Sequence, residues 1–168
     1  MANLEGTAAE PINLAHRFAR SQRFRDLFAG GMALVEETAD YLDNAGREAS
    51  RLMEAPLSAL YSTESMRLTT RLMQLASWLL LQRAVAEGDM TPEQAREEKR
   101  NVRIDQPPPA RSELHAQLPA DFLTLIERSL TLQARLVFLD AEIYGEAPQA
   151  AIDNPVAQQR TLLEAAFY

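Results

Sequence analysis

The segment from Leu57 to Glu87 constrains the fold more than any other part of the sequence, because it contains neither glycine nor proline. Its apolar residues follow the three-and-four spacing of an α-helix, and Gly88 marks the end of that helix. A helix with apolar residues around so much of its circumference must be covered on several sides. We expect two other helices to cover part of it, and a second subunit is one way to cover the rest. One apolar stripe comprises Tyr61, Leu68, Leu72, Leu75 and Leu79, and a second comprises Met66, Thr69, Met73, Ala76, Leu80 and Ala84.

Two further long helices are predicted, one on each side of this segment. The first covers about residues 21–45 and has Ser21 as its N-cap, and the last covers about residues 119–144. Gly30 and Gly31 lie inside the first helix, where each costs roughly 1 kcal/mol relative to alanine. We expect close approach by another helix to compensate for this cost.

A short fourth helix is predicted over about residues 92–100. Thr91 caps it, Pro92 takes the first helical position, and Gln94 completes a capping box. Three consecutive prolines then exclude a helix, so residues 101–111 are expected to form an extended linker.

The two ends of the chain lack the sustained period of the middle. Residues 1–20 are expected to form a mobile N-terminal arm, and residues 145–168, which contain two prolines, a flexible C-terminal tail. No run of alternating β-branched or aromatic residues predicts a strand. The predicted fold is therefore all-α, a three-helix bundle over residues 21–144 with a long central helix, a short extra helix and flexible termini.

The residue types that carry catalysis or bind metal are scarce. The sequence has no cysteine, and its two histidines, His16 and His115, belong to neither an HExxH nor an ExxH spacing. Neither a nucleophile elbow nor a phosphate-binding glycine loop is present. We expect no catalytic residue, no metal and no cofactor, and hence a protein that is not an enzyme.

Charge and hydropathy argue against two further classes of partner, nucleic acids and the membrane interior. The net charge of −7 disfavours a nucleic-acid binder, which needs an excess of positive charge to displace counterions from phosphates. The longest apolar block, near residues 75–81, is too short to span a membrane. The expected location is the cytoplasm.

One polar stripe on the predicted central helix is a candidate protein-binding surface. Its members follow spacings of three, four, three and four, which align them on one side of the helix. Arginine and tryptophan are frequent among the residues that dominate protein interfaces. The alternative is that the tryptophan packs in the core while the charged side chains face water. The stripe consists of Glu64, Arg67, Arg71, Gln74 and Trp78.

The C-terminal tail offers a second candidate contact. It ends in an apolar cluster, whereas disordered segments are usually poor in large apolar residues. The cluster is interpreted either as a short helix docked on the bundle or as a mobile peptide that binds a partner, and the two prolines favour the mobile peptide. Its candidate contact residues are Leu162, Leu163, Phe167 and Tyr168.

A long and specific run resembles the signature of the RcdA family of alphaproteobacteria. Residues 64–85 read ESMRLTTRLMQLASWLLLQRAV. Matching positions upstream lie in residues 31–37, 41–43 and 46–47, and the stretch 87–90 with the proline-rich linker fits downstream. The resemblance covers roughly residues 24–144.

The resemblance implies a homodimeric three-helix bundle that performs no chemistry. Members of this family act as adaptors for the ClpXP protease in cell-cycle control, and the family name refers to regulated degradation of the transcription factor CtrA. The implied partners are ClpXP primed by a response-regulator adaptor and cargo proteins such as transcription factors, with recruitment to the cell pole as a further expectation. By position rather than by motif, the resemblance also implies that the tail from residue 145 to 168 engages the protease. The alternative is a dimeric scaffold or regulatory protein that binds a signalling partner without a protease.

Overall fold

The computed structural model describes residues 11–145, and this part of the chain is all-α, as predicted. No β-strand occurs within it. The six α-helices are α1 Pro11–Ala19, α2 Gln22–Asp43, α3 Ala45–Arg51, α4 Leu57–Glu87, α5 Pro92–Glu98 and α6 Ala120–Tyr144. Two short 3₁₀ turns, Lys99–Asn101 and Glu113–Gln117, lie between α5 and α6.

Local side-chain chemistry sets several helix ends. Ser21 accepts a hydrogen bond from the backbone N–H of Phe24 and so satisfies one of the free amides at the start of α2. Thr91 and Gln94 form the reciprocal capping box at the start of α5. Gly88 ends α4 in the left-handed conformation at φ 81°, which glycine adopts without steric cost.

The long helices α2, α4 and α6 each contact the other two. Their shared interior contains two apolar clusters. The first includes Phe24, Trp78 and Leu136, and the second is built around Phe122, whose ring packs against those of Tyr41 and Tyr61. The leucines of the first apolar stripe of α4 are called here the leucine stripe and comprise Leu68, Leu72, Leu75 and Leu79. They lie in these two clusters, so the most apolar side of the longest helix faces the interior.

The N-terminal arm predicted over residues 1–20 is wrong for Pro11–Ala19, which forms α1. Ala15 and Ala19 are buried in this helix, and α1 contacts α2, α4, α5 and α6. A helix of nine residues is marginal by itself, and packing against its neighbours stabilises it. The sequence pattern underestimates such a helix because its stability comes from residues far along the chain.

One of the two glycines inside α2 explains how closely α2 approaches α4. A Cβ atom built on Gly31 would lie 2.5 Å from Leu79 Cδ1, whereas one built on Gly30 would meet nothing within 4 Å. The predicted close approach is therefore confirmed at Gly31 and is wrong at Gly30, which is exposed.

These two positions make a matched pair of substitutions. Gly31→Ala should lower the free energy of unfolding by about 1–3 kcal/mol, because the added methyl group overpacks the buried contact with Leu79. Gly30→Ala should raise it by roughly 0.5–1 kcal/mol, because alanine restricts the unfolded chain and suits a helix interior. Urea denaturation of both variants measures the difference, and shifts in the same direction would contradict the assigned contact.

Candidate functional site

The structure separates the five residues of the polar stripe predicted on α4. Trp78 is only 1% exposed and belongs to the first core cluster, and Glu64 is also buried. Arg67, Arg71 and Gln74 reach a cleft at the surface of the described chain. Of the two interpretations of Trp78, the structure places it in the core, so three of the five predicted residues remain on an accessible surface.

Trp78 is held by a hydrogen bond to Asp140, a polar residue at the edge of the core. Its indole Nε1 donates to Asp140 Oδ1 at 2.8 Å, and the second oxygen of Asp140 accepts from Lys99 Nζ at 2.7 Å. Lys99 also lies 4.9 Å from the centroid of the Tyr144 ring. One carboxylate on α6 therefore joins α4 to the turn that follows α5.

Glu64 links α4 to the second 3₁₀ turn. Its carboxylate pairs with Arg67 one turn along the helix, and His115 Nε2 lies 3.6 Å from Glu64 Oε1. The other ring nitrogen of His115, Nδ1, accepts from the backbone N–H of Ser112 at 3.0 Å. The position of Arg67 at the cleft thus depends on a buried carboxylate beneath it.

The cleft, called here the arginine cleft, lies between α4 and the segment that precedes α6. Its volume is about 260 Å³. Arg67, Arg71 and Gln74 form one wall, and residues 103–109 of the proline-containing segment form the opposite wall with a contribution from Gln133 of α6. The predicted extended linker is therefore a wall of the site.

Two glutamine side chains hold the extended wall in place. Gln74 Oε1 accepts from the backbone N–H of Arg103 at 2.9 Å. Gln133 Nε2 donates to the carbonyl oxygens of Ile104 at 2.8 Å and Gln106 at 2.7 Å. These bonds satisfy backbone groups of a segment that forms no helix or strand and so lacks regular backbone hydrogen bonds. They also hold the segment at a set distance from α4 and α6.

Arg71 is partly buried at the base of the cleft, where its Nη1 donates to Ser129 Oγ at 2.8 Å. Desolvation by burial lowers the pKa of Arg71 from its usual value. The negative charge of Glu64 opposes this shift, and the positive charges of Arg111 and Arg67 add to it. The cleft therefore contains a guanidinium group that has lost part of its hydration.

Sequence reasoning missed Arg103, Gln106 and Gln133 as members of this site. They lie 29 or more residues along the chain from the α4 residues that they face, or on another helix, and no local spacing marks them. The only available signal was the run of prolines, which indicates an extended segment and does not indicate what it packs against.

A second surface of α4 points away from the core. It is called here the α4 stripe and consists of Met66, Met73 and Leu80, which are 73%, 64% and 51% exposed and recur every seven residues. The smaller residues Thr69 and Ser77 lie between them and are exposed as well. Met66, Met73 and Leu80 all belong to the second apolar stripe predicted from the sequence. No other part of the described chain covers the α4 stripe.

The remaining predicted contacts fall elsewhere. Leu162, Leu163, Phe167 and Tyr168 lie outside the described residues. None of the helices in the described part of the chain is long and apolar enough to cross a lipid bilayer. Residues 11–145 also contain no group of three or more acidic, histidine or cysteine side chains arranged to bind a metal ion.

The hydrogen bonds of Asp140 lead to a stability prediction. Asp140→Ala should lower the free energy of unfolding by about 2 kcal/mol, because it leaves the Trp78 indole and the Lys99 amine without their partner. Glu37→Ala is the control, since it removes an exposed partner of Arg128 and should cost no more than about 0.5 kcal/mol. Urea titration followed by the fluorescence of the single tryptophan measures both, and equal losses would contradict the role of Asp140.

Comparisons with known proteins agree on one family. The model of the family described as "Protein of unknown function (DUF1465)" matches residues 15–167. The comparison with curated proteins gives no match. The structure is similar to the crystal structure of RcdA from Caulobacter crescentus CB15, with a TM-score of 0.64 and 46% sequence identity, over 77% of this chain and 98% of that chain. With a family match over nearly its whole length and this degree of identity to RcdA, the chain belongs to the RcdA (DUF1465) family.

Proposed function

We propose that the chain is a non-enzymatic adaptor that delivers cargo proteins to the ClpXP protease in cell-cycle-regulated proteolysis. The observation that carries this proposal is the 46% identity to RcdA over almost all of that protein, together with the matching run at residues 64–85. The proposed partners are ClpXP primed by a response-regulator adaptor and transcription factors such as CtrA. The proposed location is the cytoplasm, with recruitment to the cell pole.

The physical requirement of such an adaptor is two separate contacts in one body. Joining two modest contacts raises the effective concentration of cargo at the protease and increases affinity by about 10²–10⁴-fold. The arginine cleft is one proposed contact surface. The apolar residues of the tail are the other, and their role follows from the resemblance rather than from the described residues.

The α4 stripe supports a further part of the proposal, that the chain is a homodimer. Three large exposed apolar side chains at seven-residue spacing are typical of a helix that packs against another helix, and the small residues between them permit close approach. Neighbouring residues of a helix project about 100° apart, so Met66 and Arg67 face different directions. Thr70, which lines the arginine cleft, lies beside Met66 and Met73 on the helix surface, so the proposed dimer contact borders the cleft of each subunit.

A degradation assay tests the proposed delivery. ClpXP with its response-regulator adaptor should degrade CtrA several-fold faster when the full-length chain is added, because tethering raises the local cargo concentration. Replacing Leu162, Leu163, Phe167 and Tyr168 by serine should abolish the acceleration and leave the helical content unchanged. Gln158→Ser with Gln159→Ser is the matched control in the same tail and should keep full delivery.

The same variants distinguish the adaptor from a scaffold. Affinity capture from lysate with the full-length chain should retain ClpX, and the four-serine variant should not. If a signalling partner is captured equally by both forms, and no transcription factor is degraded faster, the dimeric scaffold or regulatory protein replaces the adaptor as the proposed function.

Light scattering at increasing concentration tests the proposed dimer. The wild-type chain should reach twice its mass of 18.8 kDa. Met73→Arg should weaken the dimer at least tenfold, because it places a charge in the proposed apolar contact. Leu52→Arg is the control, since Leu52 is 87% exposed but lies outside the α4 stripe, and it should not change the mass. A wild-type monomer, or equal effects of both variants, would remove this part of the proposal.

A further inference from the structure

Positive charge is concentrated in the arginine cleft although the chain as a whole carries a net charge of −7. All three ionisable side chains that line the cleft are arginines: Arg67, Arg71 and Arg103. No aspartate or glutamate is among its lining residues. Such a site attracts a group of negative charge, and weakly hydrated guanidinium groups bind carboxylates and phosphates well.

The three arginines differ in how far their charge is already compensated. Arg67 pairs with Glu64. Within residues 11–145 no carboxylate oxygen lies within 4.0 Å of the guanidinium nitrogens of Arg71 or Arg103. Arg71 donates to the neutral hydroxyl of Ser129 instead, and burial lowers its pKa. A bound anion would therefore give Arg71 the charged partner that the described chain does not supply.

The size of the cleft limits what this anion can be. Sites for whole small molecules usually measure about 300–1,000 Å³. The volume of the arginine cleft, about 260 Å³, falls below this range and is suited to one or two inserted side chains.

The shape of the cleft also matches a peptide. One wall is an extended segment whose backbone is fixed by Gln74 and Gln133. Pro107 and Pro109 add a stiff apolar edge to the same wall. Because these bonds fix the wall before a partner arrives, an extended chain that binds along it would lose less free energy to ordering the site.

We propose that the arginine cleft binds the acidic side chains of an extended segment of a partner protein, with Arg71 and Arg103 as the groups that recognise the carboxylates. This inference rests on the proposed function in one respect, that a partner protein binds at the arginine cleft. It adds the chemistry of the recognised segment, which is rich in glutamate or aspartate.

Fluorescence anisotropy with the full-length chain tests the proposal, using a short fluorescein-labelled peptide of alternating glutamate and alanine. The matched probe has glutamine in place of each glutamate. The acidic peptide should bind at least tenfold more tightly than the glutamine peptide, and its affinity should fall as sodium chloride rises from about 50 to 300 mM. No protease is present, so failure here leaves the delivery assay unaffected, and failure of delivery leaves this test intact.

Substitutions locate the binding site. Arg103→Gln should weaken binding of the acidic peptide roughly three- to tenfold because it removes the positive charge, and Arg103→Glu should abolish binding because it reverses that charge. Both variants should fold normally, because the Arg103 side chain is exposed and only its backbone N–H has a described partner in the fold. Arg135→Gln is the control, because Arg135 is an exposed arginine of α6 outside the cleft. Equal effects of Arg103→Gln and Arg135→Gln overturn the proposal.

Inorganic pyrophosphate serves as the competing anion. If it binds in the cleft with loss on Arg103→Gln, while the acidic peptide binds no better than the glutamine peptide, the site recognises phosphate and the proposal is overturned. If the acidic peptide binds more tightly than pyrophosphate and both depend on Arg103, carboxylate recognition is supported.

Discussion

The central helix α4 carries apolar residues around most of its circumference, and covering them is the constraint that the rest of the structure meets. The helices α1, α2, α5 and α6 all contact α4. Its leucine stripe faces the two core clusters, and Gly31 lets α2 come close enough to pack against Leu79. The α4 stripe is the apolar part of the helix surface that the other helices leave exposed, and we therefore propose that a second subunit covers it.

Hydrogen bonds between buried polar groups fix the positions of α6 and the extended segment relative to their neighbours. Apolar packing alone tolerates shifts along a helix, whereas a buried hydrogen bond has one good geometry and a high cost when broken. Gln82 of α4 and Tyr144 of α6 exchange hydrogen bonds in the interior, and Gln133 fixes the extended wall to α6. The Gln82–Tyr144 bonds thus align two helices, and the bonds of Gln133 shape the arginine cleft.

The sequence predicted the elements that local chemistry controls and missed those that depend on distant contacts. The bounds of α4 follow from the absence of glycine and proline between Leu57 and Glu87, and the start of α5 from its capping box. The helix α1 was missed because its stability comes from the helices around it. The spacing placed Arg67 and Arg71 on one side of α4, but a stripe on a helix does not reveal which of its members is buried.

The single lysine of the sequence, Lys99, has a consequence for chemical labelling. Its amine is held by Asp140 and its side chain is only 22% exposed, while all the other basic side chains apart from histidine are arginines. Reagents that acylate amines should therefore react more slowly with Lys99 than with a fully exposed lysine, and faster whenever the turn at Lys99–Asn101 detaches from α6. A change in the acylation rate of Lys99 thus reports a change in how that turn is held, and it needs no engineered probe.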